Sequence, residues 1–177
     1  MIIIPIGKPH SGKSTFCKAL QRVGLGTYSF AEPLYRMIGE IIGQDRVREL
    51  RQENRKEEPI PELQGKTLRY ALQTLGTEWG RDLMGPDLWA DHLFRMAGTD
   101  DFTIDDLRFP NEYEKAKEAG AIFVRIHPLE YWGPEEYAHE SESYQEDFDT
   151  RFSITWRTLD HLRAIALDLE KSLRWIE

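Results

Sequence analysis

The chain has 177 residues, 40% of them hydrophobic and 31% charged, and a formal net charge of −8 at pH 7. This length and composition predict one globular domain. The negative charge argues against a broad nucleic-acid-binding surface, because a polyanion requires a basic face. No apolar run is long enough for a membrane span, and no basic, cleavable leader is recognisable. We therefore expect a cytoplasmic protein that binds neither membranes nor nucleic acid.

The first predicted strand leads into a phosphate-binding motif. The apolar run at residues 2–6 is followed by Gly7, four residues, and then Gly12, Lys13 and Ser14, which is the P-loop spacing. Glycines let backbone N–H groups face an anion, and a helix that begins near Gly12 adds its positive dipole end. We expect Lys13 at the β- and γ-phosphates of ATP and the Ser14 hydroxyl at Mg²⁺. The predicted ATP-binding residues are Gly7, Ser11, Gly12, Lys13, Ser14 and Thr15.

Two residues near this motif raise structural questions. Pro5 cannot donate a hydrogen bond to a β-ladder, so we expect it at the strand's end or at a local irregularity. Cys17 is the only cysteine of the sequence. In the predicted first helix it is expected to be a buried apolar residue rather than a reactive thiol.

The middle of the chain is predicted to be helical. A short strand at 27–31 precedes a helix with Pro33 in its first turn. The charged stretch at 44–61 offers only Val47 and Leu50 for an apolar contact, which predicts an exposed helix or arm. Apolar residues at helical spacing then indicate two further helices; they are Leu68, Leu72, Leu75, Leu88, Leu93 and Met96.

Strands and helices alternate in the second half. A strand at 102–106 ends in two carboxylates, a polar helix ends at Gly120, and strands are predicted at 121–127 and 151–155. A final amphipathic helix begins at Thr158. Alternation of this kind implies a parallel sheet with right-handed crossovers. The predicted fold is a three-layer αβα P-loop NTPase fold with a five-stranded parallel sheet, similar to nucleoside monophosphate kinases.

The P-loop alone is compatible with motors, GTPase switches and small-molecule kinases. The guanine-reading Asn-Lys-x-Asp motif of GTPases is absent from the sequence, and the chain is short for a motor. Arg36, Arg81 and Arg108 are predicted near the carboxyl edge of the sheet, where ligands bind in such folds. These features favour a small-molecule kinase.

Two blocks resemble the deoxynucleoside monophosphate (dNMP) kinases of bacteriophages: "LRYALQTLGTEWGRDLMGPDLWADHL" and "DDLRFPNEYEKAKEAGAIFVRI". The later "HESE" and the strand-helix tail are also similar to that family. The resemblance implies transfer of the ATP γ-phosphoryl group to a dNMP, with Mg²⁺ as the only cofactor. It places the protein in the host cytoplasm if it is phage-encoded. The sequence leaves open which bases are accepted and whether the chain forms a homodimer.

The site residues follow from the chemistry of this reaction. A phosphate acceptor is already anionic, so the site must supply alignment and positive charge. Lys13, Arg108 and Asp105 are the predicted catalytic residues, with Asp105 or Asp106 holding Mg²⁺ beside Ser14, directly or through water. The alternative for this block is a helix-capping Asp with a surface Arg. The predicted acceptor-binding residues are Arg36, Arg69, Gln73, Gly76, Thr77, Glu78, Trp79, Arg81, Trp89, Asp106 and Arg108.

Two segments are assigned to substrate handling within this one kinase domain of residues 1–177. A helical insertion at about 32–98 is expected to bind the acceptor, and a segment at about 128–149 to act as a lid. The sequence between Leu129 and Asp149 has no lysine or arginine, unlike the lids of many nucleoside monophosphate kinases. His139, Glu140 and Glu142 fit no specified metal site, so we interpret them as a structural turn.

Two other functions stay open at this stage. A dephospho-coenzyme A kinase would phosphorylate a hydroxyl, and Asp105 or Asp106 would then act as a general base. A non-catalytic nucleotide-binding regulator would bind ATP without acceptor-dependent release of ADP.

Overall fold

The computed structural model describes residues 1–52, 55–130 and 144–175. The strands are β1 (Ile2–Ile6), β2 (Gly26–Tyr28), β3 (Phe102–Ile104), β4 (Ile122–Pro128) and β5 (Phe152–Trp156). The α-helices are α1 (Lys13–Gln21), α2 (Glu32–Ile42), α3 (Gln44–Gln52), α4 (Leu68–Gln73), α5 (Leu88–Ala97), α6 (Pro110–Glu118) and α7 (Leu159–Arg174). A π-helix spans Thr74–Met84, and short 3₁₀ helices span Pro61–Leu63 and Tyr144–Glu146.

The chain divides into two compact units. The first comprises Met1–Ser29 and Phe94–Glu177 and contains the whole sheet. The second, Phe30–Leu93, contains α2, α3, α4 and the π-helix. It overlaps the helical insertion predicted at about 32–98, whose role in acceptor binding stays a prediction.

The sheet has the strand order β2-β3-β1-β4-β5, and every pairing is parallel. This confirms the predicted five-stranded parallel sheet. The ladder between β1 and β3 ends at the pair Ile3 and Thr103, whereas the ladder to β4 continues to Ile6. Pro5 therefore lies beyond the last residue that β1 pairs with β3, one residue before the strand's end.

Helices cover both faces of the sheet. Val124 and Ile126 of β4 are buried in one core cluster with Phe16 of α1 and Leu162 of α7. Phe123 directly precedes Val124 on β4, and its ring centroid is 4.5 Å from that of Tyr113 of α6. Since side chains alternate across a strand, α1 and α7 lie on one face and α6 on the other. The unit is a three-layer αβα structure, as predicted.

Two predicted strands are shorter than expected. The second was predicted at 27–31 but ends at Tyr28, because Phe30 and Ala31 already turn into α2, where Ala31 O accepts from Tyr35 N at 3.1 Å. The strand predicted at 102–106 ends at Ile104, so both carboxylates follow the strand instead of ending it. Short polar side chains compete with strand pairing for backbone contacts, which favours an early strand end.

The second unit has its own apolar core. Val47 and Leu50 of α3 are 3% and 0% exposed and pack with Tyr35 and Leu68. This confirms the predicted contact of the charged segment. The residues after Gln73, predicted to continue an α-helix, form the π-helix instead, and Gly85 N donates to Gly80 O at 3.0 Å across five residues.

His139, Glu140 and Glu142 lie outside the described residues, as does most of the predicted lid. Among the residues that the structure describes, no helix combines the length and apolarity that crossing a membrane requires.

Candidate active site

The loop between β1 and α1 requires glycine at two positions. Gly12 has a φ of +98°, a left-handed conformation that side chains disfavour. A Cβ on Gly12 would also lie 2.6 Å from Leu162 Cδ2. At Gly7 the obstacle is contact alone, since a Cβ there would lie 2.7 Å from Ile126 O. Both glycines of the P-loop spacing are thus required by the shape of the loop.

The Lys13 amine is held within this loop. Its Nζ donates to Gly7 O at 2.5 Å and to Lys8 O at 2.9 Å. Lys13 is the first residue of α1, so the ammonium group and the positive end of the helix dipole share one corner. The loop therefore concentrates positive charge in a protein whose net charge is negative.

Ser14 and Asp105, which are candidate magnesium ligands from the sequence, are in contact in the structure. Ser14 Oγ donates to Asp105 Oδ2 at 3.0 Å. The contact arises because β1 and β3 are parallel neighbours, so the residues that follow them lie at the same edge of the sheet. Hydroxyl and carboxylate oxygens are ligands that Mg²⁺ prefers, and Mg²⁺ takes its remaining ligands from phosphates and water. These residues fit a Mg²⁺ ion that is shared with a nucleotide.

A buried hydroxyl in the loop supports a role in ligand binding. Ser11 is 1% exposed, and its Oγ has no hydrogen-bond partner within the part of the chain that the structure describes. An unpaired buried polar atom is unfavourable, typically by about 1–3 kcal/mol. A bound phosphate or water would supply the missing partner. Ser11 belongs to the predicted ATP-binding set, so this observation agrees with an anion in the loop.

Two hydrogen bonds from distant side chains to the P-loop backbone were not predicted from the sequence. Trp156, the last residue of β5, donates from Nε1 to Ser11 O at 2.9 Å. Gln145 is buried, and its Oε1 accepts from Gly7 N at 3.2 Å. Both partners are more than a hundred residues away in the chain, and no local pattern could have indicated them.

The turn after β3 is fixed by a carboxylate that the sequence analysis also missed. Glu112 is 2% exposed, and its Oε2 accepts from Arg108 N at 2.8 Å and from Phe109 N at 3.0 Å. The Arg108 side chain is exposed. Asp106 Oδ2 accepts from Ser29 Oγ at 2.7 Å. A Glu in the first turn of a helix that bonds preceding N–H groups is a known capping arrangement, and the Pro110–Glu112 spacing was its only signal.

The thiol of Cys17, in α1, is buried. Cys17 Sγ lies 3.1 Å from Thr103 Oγ1 in the core of the sheet. Burial raises the pKa of the Cys17 thiol far above its usual range, with the Thr103 contact lowering it by less. The structure confirms that Cys17 is buried, as predicted.

The two candidate arginines early in the second unit have carboxylate partners. Arg36 lies inside α2, and its Nε is 3.7 Å from Glu32 Oε1. Arg69 of α4 forms an ion pair with Glu57. Both side chains are more than half exposed, so neither pair holds its guanidinium tightly.

The remaining candidates lie in or near the π-helix, and they are divided into buried and exposed residues. Gly76 and Gly80 face Trp89, which is 5% exposed and donates from Nε1 to Gly76 O at 2.9 Å. A Cβ on Gly80 would lie 2.4 Å from that indole nitrogen, so Gly80 makes room for Trp89, whereas a Cβ on Gly76 would lie 3.1 Å from Leu34 Cδ1. Gln73, Thr77, Glu78 and Trp79 are exposed, and Arg81 is half-buried with Nη1 3.3 Å from Pro86 O. Trp89 is thus a core residue of this unit.

The structure brings together the predicted ATP and metal residues within the first unit. Gly7, Ser11, Gly12, Lys13, Ser14 and Thr15 form one loop and helix start, and Ser14 contacts Asp105. Asp106 and Arg108 follow in the same turn after β3. The other acceptor candidates belong to the second unit.

Comparison with known proteins shows the fold. No protein-family model and no curated protein matches the chain. Among solved structures, the chain is similar to a dephospho-CoA kinase from Campylobacter jejuni, with a TM-score of 0.50 and 14% sequence identity. The match covers 97% of this chain and 96% of that chain. The chain therefore has the αβα fold of a P-loop kinase, with a five-stranded all-parallel sheet.

Proposed function

We propose that the chain is an ATP-dependent kinase that transfers the γ-phosphoryl group to a dNMP, giving a dNDP and ADP. The observation that carries the kinase proposal is the 3.0 Å contact of Ser14 with Asp105 in a P-loop that also holds the Lys13 amine. The resemblance of two sequence blocks to bacteriophage dNMP kinases supports the choice of acceptor. The αβα fold is compatible with a kinase and with a dNMP as its acceptor.

The residues of the chain act by charge and alignment. Lys13 holds the β- and γ-phosphates, and the backbone N–H groups of the loop hold the anion in place. Arg108 places a planar guanidinium on the acceptor phosphate, a geometry that suits two parallel hydrogen bonds. Ser14 and Asp105 would hold Mg²⁺, which when bound neutralises charge on the phosphates. No side chain needs to remove a proton, because the attacking phosphate oxygen is already anionic.

Dephospho-coenzyme A kinase is the second candidate, since it is the activity in the name of the structural neighbour. Its acceptor is a hydroxyl, and a general base would assist that reaction. Asp105 and Asp106 each accept a hydrogen bond from a serine through Oδ2, and a carboxylate has further lone pairs with which to act as that base. The dNMP reaction is ranked first because two sequence blocks resemble bacteriophage dNMP kinases.

A coupled assay of ADP release tests the proposal. The purified chain is supplied with Mg²⁺ and ATP, and each dNMP, each ribose NMP and dephospho-coenzyme A are added in turn. We expect ADP release that depends on a dNMP and is lost in Lys13→Ala. Release with dephospho-coenzyme A alone would support the second candidate. Tight ATP binding without release for any acceptor would indicate a regulator instead of a kinase.

A further inference from the structure

Residues 144–148, here called the arm, lie against the start of the P-loop. The Gln145 side chain is 4% exposed, and its Oε1 accepts from Gly7 N at 3.2 Å. Gly7 follows the last residue pair of β1 with β4, which is Ile6 with Arg125, so strand pairing supplies no acceptor for its N–H. Buried N–H groups need a partner. Gln145 supplies that partner from a distant part of the chain.

The arm is anchored independently by Arg125 of β4. Arg125 Nη1 donates to Gln145 O at 3.0 Å, and Nη2 donates to Phe148 O. One guanidinium therefore fixes two backbone carbonyls of the arm, using the planar donor geometry of arginine. Arg125 is also paired with Ile6 in the sheet. Contacts therefore connect the sheet to the arm through Arg125, and the arm to the P-loop through Gln145. Glu146 adds an ion pair with Lys8 at 3.5 Å, but both side chains are about half exposed. That pair contributes little.

We propose that Gln145 is a positioning residue for the phosphoryl donor: it holds the start of the P-loop in its phosphate-binding shape and couples that shape to docking of the arm. The inference rests on the proposed function in that the ligand of the loop is ATP. Without the Gln145 acceptor, the loop samples other shapes, and the apparent Kd for ATP rises by the inverse of the competent fraction. By linkage, bound ATP stabilises docking of the arm by the same factor.

A substitution of nearly equal size isolates the acceptor atom. Gln145→Met removes it, while Glu146→Gln changes the next residue, which is about half exposed, and leaves the Gln145 acceptor in place. Binding of Mg²⁺ with a non-hydrolysable ATP analogue is measured by titration calorimetry on the full chain. We expect a Kd about tenfold higher for Gln145→Met, and within about threefold of wild type for Glu146→Gln. Arg125→Met, which releases the arm, is expected to change the Kd in the same direction as Gln145→Met.

Kinetics separate positioning from a merely structural role. In Gln145→Met we expect a higher KM for ATP, with the KM for the acceptor and the kcat at saturating ATP within about twofold of wild type. A lower Tm with an unchanged Kd would overturn the inference, as would an equal rise in both KM values. If Gln145→Met does not fold, Arg125→Met decides on the same criteria, with Glu146→Gln as the matched control that should bind like wild type.

The proposed function and the inference fail in different ways. A wild-type chain that binds the analogue but phosphorylates no acceptor would contradict the kinase proposal, while the affinities of the variants still decide the role of Gln145. Normal turnover together with wild-type affinity in Gln145→Met would contradict the inference alone. No binding of the analogue to the wild type would overturn both.

Discussion

Ser14 and Asp105 are separated by 91 residues in the chain, yet Ser14 Oγ donates a hydrogen bond to Asp105 Oδ2 at 3.0 Å. The contact joins the start of α1 to the turn after β3, and parallel pairing of β1 with β3 makes it possible. Each residue could be an ordinary polar residue by itself. Their pairing beside Lys13 supports the proposed nucleotide and metal site.

Asp105→Asn is expected to weaken use of Mg²⁺ without disturbing the fold, because the amide oxygen can still accept from Ser14 while the negative charge is lost. The Mg²⁺ concentration for half-maximal activity should rise roughly 10- to 100-fold. Activity measured over a Mg²⁺ titration checks this. Asp100→Asn is the matched control, since Asp100 accepts from Tyr28 OH at 3.3 Å, away from the loop. Identical titrations for all three proteins would remove Asp105 from the metal site.

Arg108→Lys is expected to lower kcat/KM for the acceptor about tenfold, because a lysine cannot make two parallel hydrogen bonds to one phosphate. The turn itself should persist, since Glu112 accepts from the backbone N–H of residue 108, which a lysine keeps. Steady-state kinetics over acceptor concentration measure the effect. Arg163→Lys is the control, because the Arg163 side chain is partly exposed on α7 and pairs with Asp160 three residues earlier. Full activity in Arg108→Lys would make Arg108 a surface residue.

Glu112→Ala is expected to destabilise the protein by about 2 kcal/mol, because it leaves the N–H groups of Arg108 and Phe109 without their buried acceptor. Chemical denaturation gives the free energy of unfolding. Glu114→Ala, at an exposed position of the same helix, should change it by less than about 0.5 kcal/mol. Equal effects from both substitutions would show that the Glu112 contacts do not stabilise the turn.

The Cys17 thiol is expected to resist alkylation while the protein is folded. Burial raises its pKa, so the thiolate that reacts with iodoacetamide is scarce, and the side chain is 1% exposed. At pH 8 the native protein should react at least about 100-fold more slowly than the protein in urea. Mass spectrometry of timed samples follows the reaction. Rapid labelling of the native protein would contradict the buried placement.

The sequence was informative where function depends on local spacing. Gly7, Gly12, Lys13 and Ser14 are specified by one short motif, and strand-helix alternation predicted the parallel sheet that then placed Asp105 beside Ser14. Apolar spacing over two turns did not distinguish an α-helix from the π-helix at Thr74–Met84, since both repeat every four residues or so.

Contacts between distant segments escaped prediction. Gln145 and Trp156 reach the P-loop only after the sheet has formed, and neither lies in a recognisable motif. Gly76 is a predicted acceptor-binding residue, and the structure shows that an added Cβ would meet Leu34 at Gly76 and Trp89 at Gly80. A glycine pattern indicates close approach without saying what approaches.

The most direct test of the central claim follows the transferred group itself. The chain is incubated with Mg²⁺, ATP labelled at the γ-phosphate and each dNMP separately, and the products are resolved by chromatography. We predict label in the β-phosphate of a dNDP for at least one base, and none with Lys13→Ala. Label found only in inorganic phosphate, or in no product with any dNMP, would contradict the account.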